Sequence, residues 1–389
     1  MENPILKYLK NLFAKQSVLG DDVQLRGLVE ADRRLQALID DKKIPGLAIT
    51  VLKESNVMFQ KGYGYADIET ETRVDPRKTV FRIASVSKPI AATALAYMVA
   101  EGQINLDASF YEYVPYYPKK QWDFSLRQLA SHTAGIRGYR GMEYGLNKPY
   151  SIKESIEIFK DDDLLFEPGT KYQYNSYDWV LISLAMQEVS GIPFEEYVQQ
   201  KVLQSLKMNN TFPEHVVSAT HNNLEKRVAE HSRSQLNRAN HLEKGIAEPS
   251  RSYSKNRKGF RIAIPVDNFY KLAGGGYLST SEDIAKLGQA YLEGNILNTE
   301  VLSQFLTSET INGTPTYYGL GWQVSEDKKG RPFYGHIGNG VGGYSNFFVY
   351  PEEQMVFAIL VNCTNPKVQD ELDEIVDALI KASPFLGEI

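Results

Sequence analysis

The sequence predicts an α+β fold, with a central antiparallel sheet flanked by helices and a second, mainly helical lobe. Three observations lead there. Strand-like runs cluster near both ends of the chain, around residues 47–63 and 318–363. Between them, from Leu106 to Met208, apolar residues recur mainly at helical spacing. The chain has 389 residues, 42% hydrophobic and 23% charged, which suits a sizeable core and about two domains. One sheet built from both ends, with helices packed on it and the middle folded beside it, buries these apolar faces economically.

Each segment can be justified in turn. In residues 1–22, Ile5, Leu6, Leu9, Leu12 and Phe13 mark one face of a short amphipathic helix, which suits docking on its own domain or on a partner better than lying on a membrane. Residues 23–80 and 259–389 are expected to form the sheet domain. Val23 to Lys43 has helical spacing and ends at Pro45-Gly46. Leu47–Leu52 and Val57–Tyr63 follow as two strands around a polar turn. Residues 81–212 form the helical lobe, with helices expected over Ile90–Val99, Leu126–Ser131, Ile152–Phe159, Trp179–Val189 and Phe194–Leu206. Residues 213–258 are polar and rich in Asn, Ser, Lys and Arg; they suit a solvated insertion or loop, with a lid or docking surface as the sharper alternative. Strand texture resumes at Phe260–Pro265. A helix with Ser281 as its N-cap comes next, then strands over Tyr318–Val324, Val341–Tyr350 and Met355–Cys363. Val368–Ile380 closes the chain as an amphipathic helix.

The chemistry centres on Ser85-Val86-Ser87-Lys88, between the apolar run Phe81–Ala84 and the helix from Ile90. Residues three apart share a helix face, so Lys88 lies beside Ser85. A serine hydroxyl needs a neighbouring base to become a nucleophile, and burial can lower a lysine's pKa enough to serve. The helix N-terminus adds free N–H groups where an oxyanion would form. Ser-x-x-Lys recurs at Ser252–Lys255 and Ser325–Lys328, but in polar sequence with no apolar helix behind it.

Other classes fit less well. The net charge of −5 gives no global basic field for nucleic acid. No run of about 20 apolar residues suggests an integral membrane span. Cys363 is the single cysteine, so no internal disulfide forms, and its apolar setting suits a core thiol. The six histidines make no His-Glu-x-x-His pattern, so no metal site is expected. Gly338–Gly343 matches Gly-x-Gly-x-x-Gly but runs into strand sequence, so no dinucleotide cofactor is expected either. No signal peptide is visible; the chain suits the cytoplasm or, with a signal already removed, the periplasm or the extracellular space.

Further motifs stand in order along the chain: Ser131-His132-Thr133-Ala134-Gly135, Pro168-Gly169-Thr170 with Tyr174, Gly274-Gly275-Gly276 with Ser279-Thr280, and His336-Ile337-Gly338. With Ser85–Lys88 they resemble the serine beta-lactamase-like superfamily, which includes class C beta-lactamases, penicillin-binding carboxypeptidases, D-aminopeptidases and related esterases. The resemblance spans roughly residues 44–362. Tyr113-Val114-Pro115 and Val266–Lys271 are also similar to the mitochondrial serine beta-lactamase-like proteins.

The resemblance implies a beta-lactamase/transpeptidase-like fold and an acyl-enzyme on Ser85. Lys88 and Tyr174 would share the proton work. The amides of Ser85 and Asn339 would form the oxyanion hole, and Ser176, His336 and Gly338 would meet the substrate, a small ester, amide or peptide. Two departures bear on specificity. Tyr174-Asn175-Ser176 ends in Ser where the family has Asn, and His336 replaces a lysine. Both suit an esterase or an unusual peptidase better than a drug-resistance lactamase. His132 is implied to be a turn residue and not part of a Ser-His-Asp triad. Tyr139, Tyr144, Tyr150 and Tyr344 are cleft-lining candidates, with ordinary packing as the alternative. A catalytically weak penicillin-binding or filament-forming assembly protein is the rival reading, and an oligomer is compatible with either.

Overall fold

The computed structural model describes residues 22–214 and 247–383. The expected amphipathic segment at residues 1–22 and most of the polar stretch at 213–258 lie outside the described residues. Helix α1 is Asp22–Asp40. Strands β1 (Gly46–Lys53), β2 (Asn56–Asp67) and β3 (Thr72–Arg73) follow. Helices α2 (Ser87–Ala100), α3 (Tyr177–Ser190) and α4 (Ser281–Leu292) come next. The chain then returns as β4 (Gln323–Glu326), β5 (Pro332–Gly340), β6 (Gly343–Tyr350) and β7 (Met355–Val361), and α5 (Gln369–Lys381) follows.

The seven strands form one antiparallel sheet in the order β4-β5-β6-β7-β1-β2-β3. It is built from both ends of the chain: β1 pairs with β7, Leu47 opposite Val361. Alternation along β1 explains how both faces are covered. Leu47, Ile49 and Val51 join the core under α1 and α5, while Ala48 and Leu52 join the core shared with the helical lobe. Between them Thr50 meets Ser281 of α4, hydroxyl to hydroxyl at 2.9 Å. Strand β7 alternates the same way, with Phe357 and Ile359 on one face and Ala358 and Leu360 on the other. Helix α4 comes close enough to the sheet that a Cβ on Gly288 would lie 2.5 Å from Val356 Cγ1.

The helical lobe is organised around α2 and α3. Both are apolar nearly all round, as helices buried on every side must be. Pro89 is the third residue of α2, inside the first turn, where its missing amide hydrogen is not needed. Helix α3 stops at Gly191, which takes the left-handed conformation (φ +70°) and donates its amide to Gln187 O at 2.9 Å.

Several boundaries differ from those expected. The N-cap of α4 is Thr280, whose hydroxyl accepts from the Asp283 amide; Ser281 turns inward to Thr50 instead. Phe194–Val198 runs into a wider π turn at Gln199–Leu203, not a uniform helix to Leu206. The polar stretch is not all loop: Glu248–Pro249 and Tyr253–Asn256 are strands, the second paired with Gly259–Ile262. Tyr318–Leu320 precedes β4 and lies outside it. Cys363 is buried and free, and burial pushes its thiol up to about 11.

Candidate active site

Strand Thr79–Arg82 pairs antiparallel with Tyr277–Ser279 and delivers the chain to Ile83. Ala84 then adopts φ +45°, a left-handed conformation rare for a residue with a side chain, at the start of the 3₁₀ turn Ala84–Val86. Glycines give this turn room. A Cβ on Gly340 would come to 3.1 Å from Ala84 Cβ, and one on Gly338 to 2.3 Å from Ile83 O. The Ser345 hydroxyl donates to the same Ile83 carbonyl at 2.7 Å. The sheet edge therefore braces the residue before the turn on which Ser85 sits.

Ser85 Oγ meets two partners. Lys88 Nζ is 3.1 Å away, one helical turn on, and the Tyr174 hydroxyl is 2.8 Å away. Lys88 Nζ also donates to Gly274 O at 2.8 Å and lies 4.7 Å from the centre of the Tyr174 ring. Lys88 is fully buried. Burial lowers its ammonium to about 7, against the opposing charge of Asp178. Burial moves the Tyr174 phenol the other way, upward, with the Ser85 hydrogen bond in opposition. These directions favour Lys88 as the proton acceptor and Tyr174 as a group that is protonated before reaction.

Behind this pair lies a buried polar layer. Asp178 Oδ2 is 2.7 Å from His132 Nδ1 and accepts from Asn175 Nδ2 at 2.7 Å. Asn175 Oδ1 takes the Asp178 amide in return. Burial holds His132 neutral and raises the Asp178 carboxyl, while the Lys88 charge pulls that carboxyl back down. His132, at φ +60° in its turn, packs with its ring 4.6 Å from that of Tyr174, centre to centre and tilted by 59°. It bonds Asp178 and packs among the rings of Tyr172, Tyr174 and Tyr318, while the hydrogen bonds of Ser85 Oγ go to Lys88 and Tyr174.

The sequence-predicted substrate residues divide. Ser176 and Asn339 line the same cleft as Ser85. The Ile337 amide donates to Gln323 Oε1 at 3.1 Å, so amides two residues apart on this part of β5 face the β4 side. Pairing with β4 ends at Gly335, which leaves the Asn339 amide directed past the end of β4 towards the cleft. Gly338 serves close packing against Ile83 and the Ser85 amide.

His336 departs from the expected contact with substrate. It is buried, its Nδ1 donates to Ile337 O at 2.7 Å, and its Nε2 is left to accept from the Tyr318 hydroxyl at 2.9 Å. Burial lowers its pKa to about 3, so it is neutral packing behind Tyr174 and offers no charge to a ligand. Tyr139 and Tyr144 line the cleft, whereas Tyr150 packs on Tyr270, and Tyr344 lies in the core under α1 and α5.

Sequence reasoning missed Asp178 and Lys271. Asp178 stands in the first turn of α3, four residues after Tyr174, which itself precedes the helix; that nearness in sequence was the usable signal. Lys271 stands three residues before Gly274, whose carbonyl holds Lys88, and it lines the cleft. The other two Ser-x-x-Lys matches form no such pair: Lys255 reaches Lys42 O, and Lys328 reaches Asp370. Among the described residues no His, Cys, Asp and Glu group suits a metal, and no helix is long and apolar enough to cross a membrane.

This geometry can be set beside known proteins. The human mitochondrial serine beta-lactamase-like protein LACTB is 27% identical over 423 residues, covering 84% of this chain and 72% of its own. The octameric penicillin-binding protein homologue from Pyrococcus abyssi superposes with a TM-score of 0.70 at 24% identity, covering 87% of this chain and 74% of its own. D-amino acid amidase from Ochrobactrum anthropi SV3, complexed with D-phenylalanine, gives 0.73 at 19% identity, covering 91% of this chain and all of its own. The fold is thus beta-lactamase/transpeptidase-like. The beta-lactamase family model matches residues 31–382, nearly the whole described chain, and the protein belongs to that family.

Proposed function

We propose that the protein is a serine hydrolase that cleaves an ester, amide or peptide bond of a small substrate through an acyl-enzyme on Ser85. One observation carries this reading: Ser85 Oγ is in hydrogen-bond reach of both Lys88 Nζ and the Tyr174 hydroxyl. Neutral Lys88 takes the Ser85 proton as Oγ attacks the carbonyl carbon. The carbonyl oxygen, now an anion, is met by the amides of Ser85 and Asn339. Tyr174 gives its proton to the leaving alkoxide or amine and regains one from the Lys88 ammonium. Water then attacks the acyl group with the same residues in reversed roles. Ser176 and the aromatic wall of Tyr139 flank the substrate. A neutral His336 in place of a cation suits an esterase or an amidase of unusual specificity, and the likeness to an amidase fold agrees with that.

Intact-mass spectrometry after incubation with a fluorophosphonate tests the proposal. Wild type is expected to gain one adduct and Ser85→Ala none. An adduct retained in Ser85→Ala would place the nucleophile elsewhere. A labelled penicillin run in parallel reports whether the cleft takes cyclic amides. The octameric architectural relative supports a second reading, an assembly protein with weak catalysis. Concentration-dependent light scattering with no acylation by any probe would favour it.

A further inference from the structure

We propose that Lys271 is the anchor for a carboxylate on the substrate, so that the preferred substrates are singly anionic esters or amides. The inference rests on the serine-hydrolase reading for where the substrate lies, and it names the substrate class of that same cleft. Lys271 lines the cleft together with Ser85, Ser176 and Asn339. It is 7% exposed, yet among the described residues its Nζ forms no ion pair with a carboxylate. Its hydrogen bond is to a backbone carbonyl, Tyr144 O at 3.2 Å. The rings of Tyr139 and Tyr270 lie 5.3 and 5.5 Å from it. An ammonium has three hydrogens to donate, and a buried one without an anion is costly.

The neighbouring charges do not fill that need. Arg82 is matched by Glu214 at 2.5 Å, and Asn268 donates to the other Glu214 oxygen at 2.6 Å. Both Glu214 oxygens are therefore engaged, and Arg82 is neutralised. Glu214 and Asp267 both attract Lys271 through space, but among the described residues neither carboxylate is in ion-pair contact with its Nζ, so the ammonium lines the cleft with no anion in contact, which suits one incoming negative charge. A phosphate dianion would want a second cation. Burial lowers the Lys271 ammonium to about 8, so the charged form still prevails at pH 7. The expected site for such a group, the position of His336, is buried and neutral; Lys271 supplies positive charge from a different part of the cleft.

The test compares two p-nitrophenyl esters of similar size, the glutarate monoester and the neutral butyrate ester, on wild type, Lys271→Met and Lys271→Arg. Wild type is expected to prefer the glutarate ester. Lys271→Met is expected to lower the glutarate-to-butyrate ratio of kcat/KM by about tenfold or more, mostly through KM, and Lys271→Arg to restore part of it. An equal loss on both esters would make Lys271 a packing residue and overturn the proposal, as would a wild type with no preference. Calorimetric titration of monomethyl glutarate into Ser85→Ala, with and without Lys271→Met, needs no turnover. It separates the two readings: binding lost with Lys271→Met supports the anchor even if no ester is hydrolysed, and equal binding overturns it.

Discussion

Lys88 carries the most exposed prediction, because the base role proposed for it depends on a proton it must not hold. With its ammonium lowered to about 7, only the neutral form accepts the Ser85 proton, so kcat/KM on a neutral ester should rise with pH through about 7. Below that point it should fall about tenfold per pH unit. A flat profile between pH 5 and 8 would remove Lys88 from the base role. The same depression has a stability sign. Folded Lys88 binds fewer protons than unfolded lysine between pH 7 and its ordinary pKa, so folding strengthens as pH rises through that window. Lys88→Met should therefore melt higher than wild type at pH 6 while losing acylation, as calorimetry beside fluorophosphonate labelling would show. The Ser85–Lys88 pair was legible in sequence because three residues on a helix fix the contact locally. Tyr174, 89 positions away, came only through resemblance. The burial of His336 was not legible, because two occupied ring nitrogens leave no trace in a three-residue motif.

Helices and strands were legible where their apolar pattern was their own and obscure where a neighbour decided. Strands β1 and β7 run apolar because both faces are covered, and α2 and α3 are apolar all round for the same reason. Strand β5 reads poorly, with glycines at 335, 338 and 340, because backbone approaches it where side chains usually stand. The choice between Thr280 and Ser281 as cap turned on Thr50, which lies 231 residues from Ser281. Gly288 on α4 is the element-scale test. Its absent side chain is the contact with Val356 and Phe347. Gly288→Ala gains about 1 kcal/mol of helix propensity but forces α4 off the sheet, at a cost of about 1–3 kcal/mol. Net destabilisation in urea melts is expected, with Ser85 labelling retained by the folded fraction. A stabilised variant would show that the helix has room to move.

At the scale of the molecule, the two chain ends hold each other. Helix α5 buries Leu372, Ile375, Val376 and Leu379 on the sheet face it shares with α1. At about 1.5–3 kcal/mol for each fully buried side chain, their sum rivals the roughly 5–15 kcal/mol that keeps a typical protein folded. A chain ending after Thr364 is expected to lose cooperative unfolding and fluorophosphonate labelling together; a truncated chain that still labels would show that the part carrying Ser85 folds without α5. The two-ended sheet was foreseeable from strand texture at residues 47–63 and 318–363, but its register was not, since pairing partners lie about 310 residues apart. That distance has a consequence for synthesis on the ribosome. The β1–β2 hairpin emerges early, and the free edge of β1 must wait for β7. At about 5–20 residues per second, the wait is roughly 15–60 s. Throughout it the nascent chain displays Leu47, Ile49 and Val51 beside an unpaired strand edge, a template for wrong partners, so the last strand of that sheet to be translated is the one that ends its vulnerability.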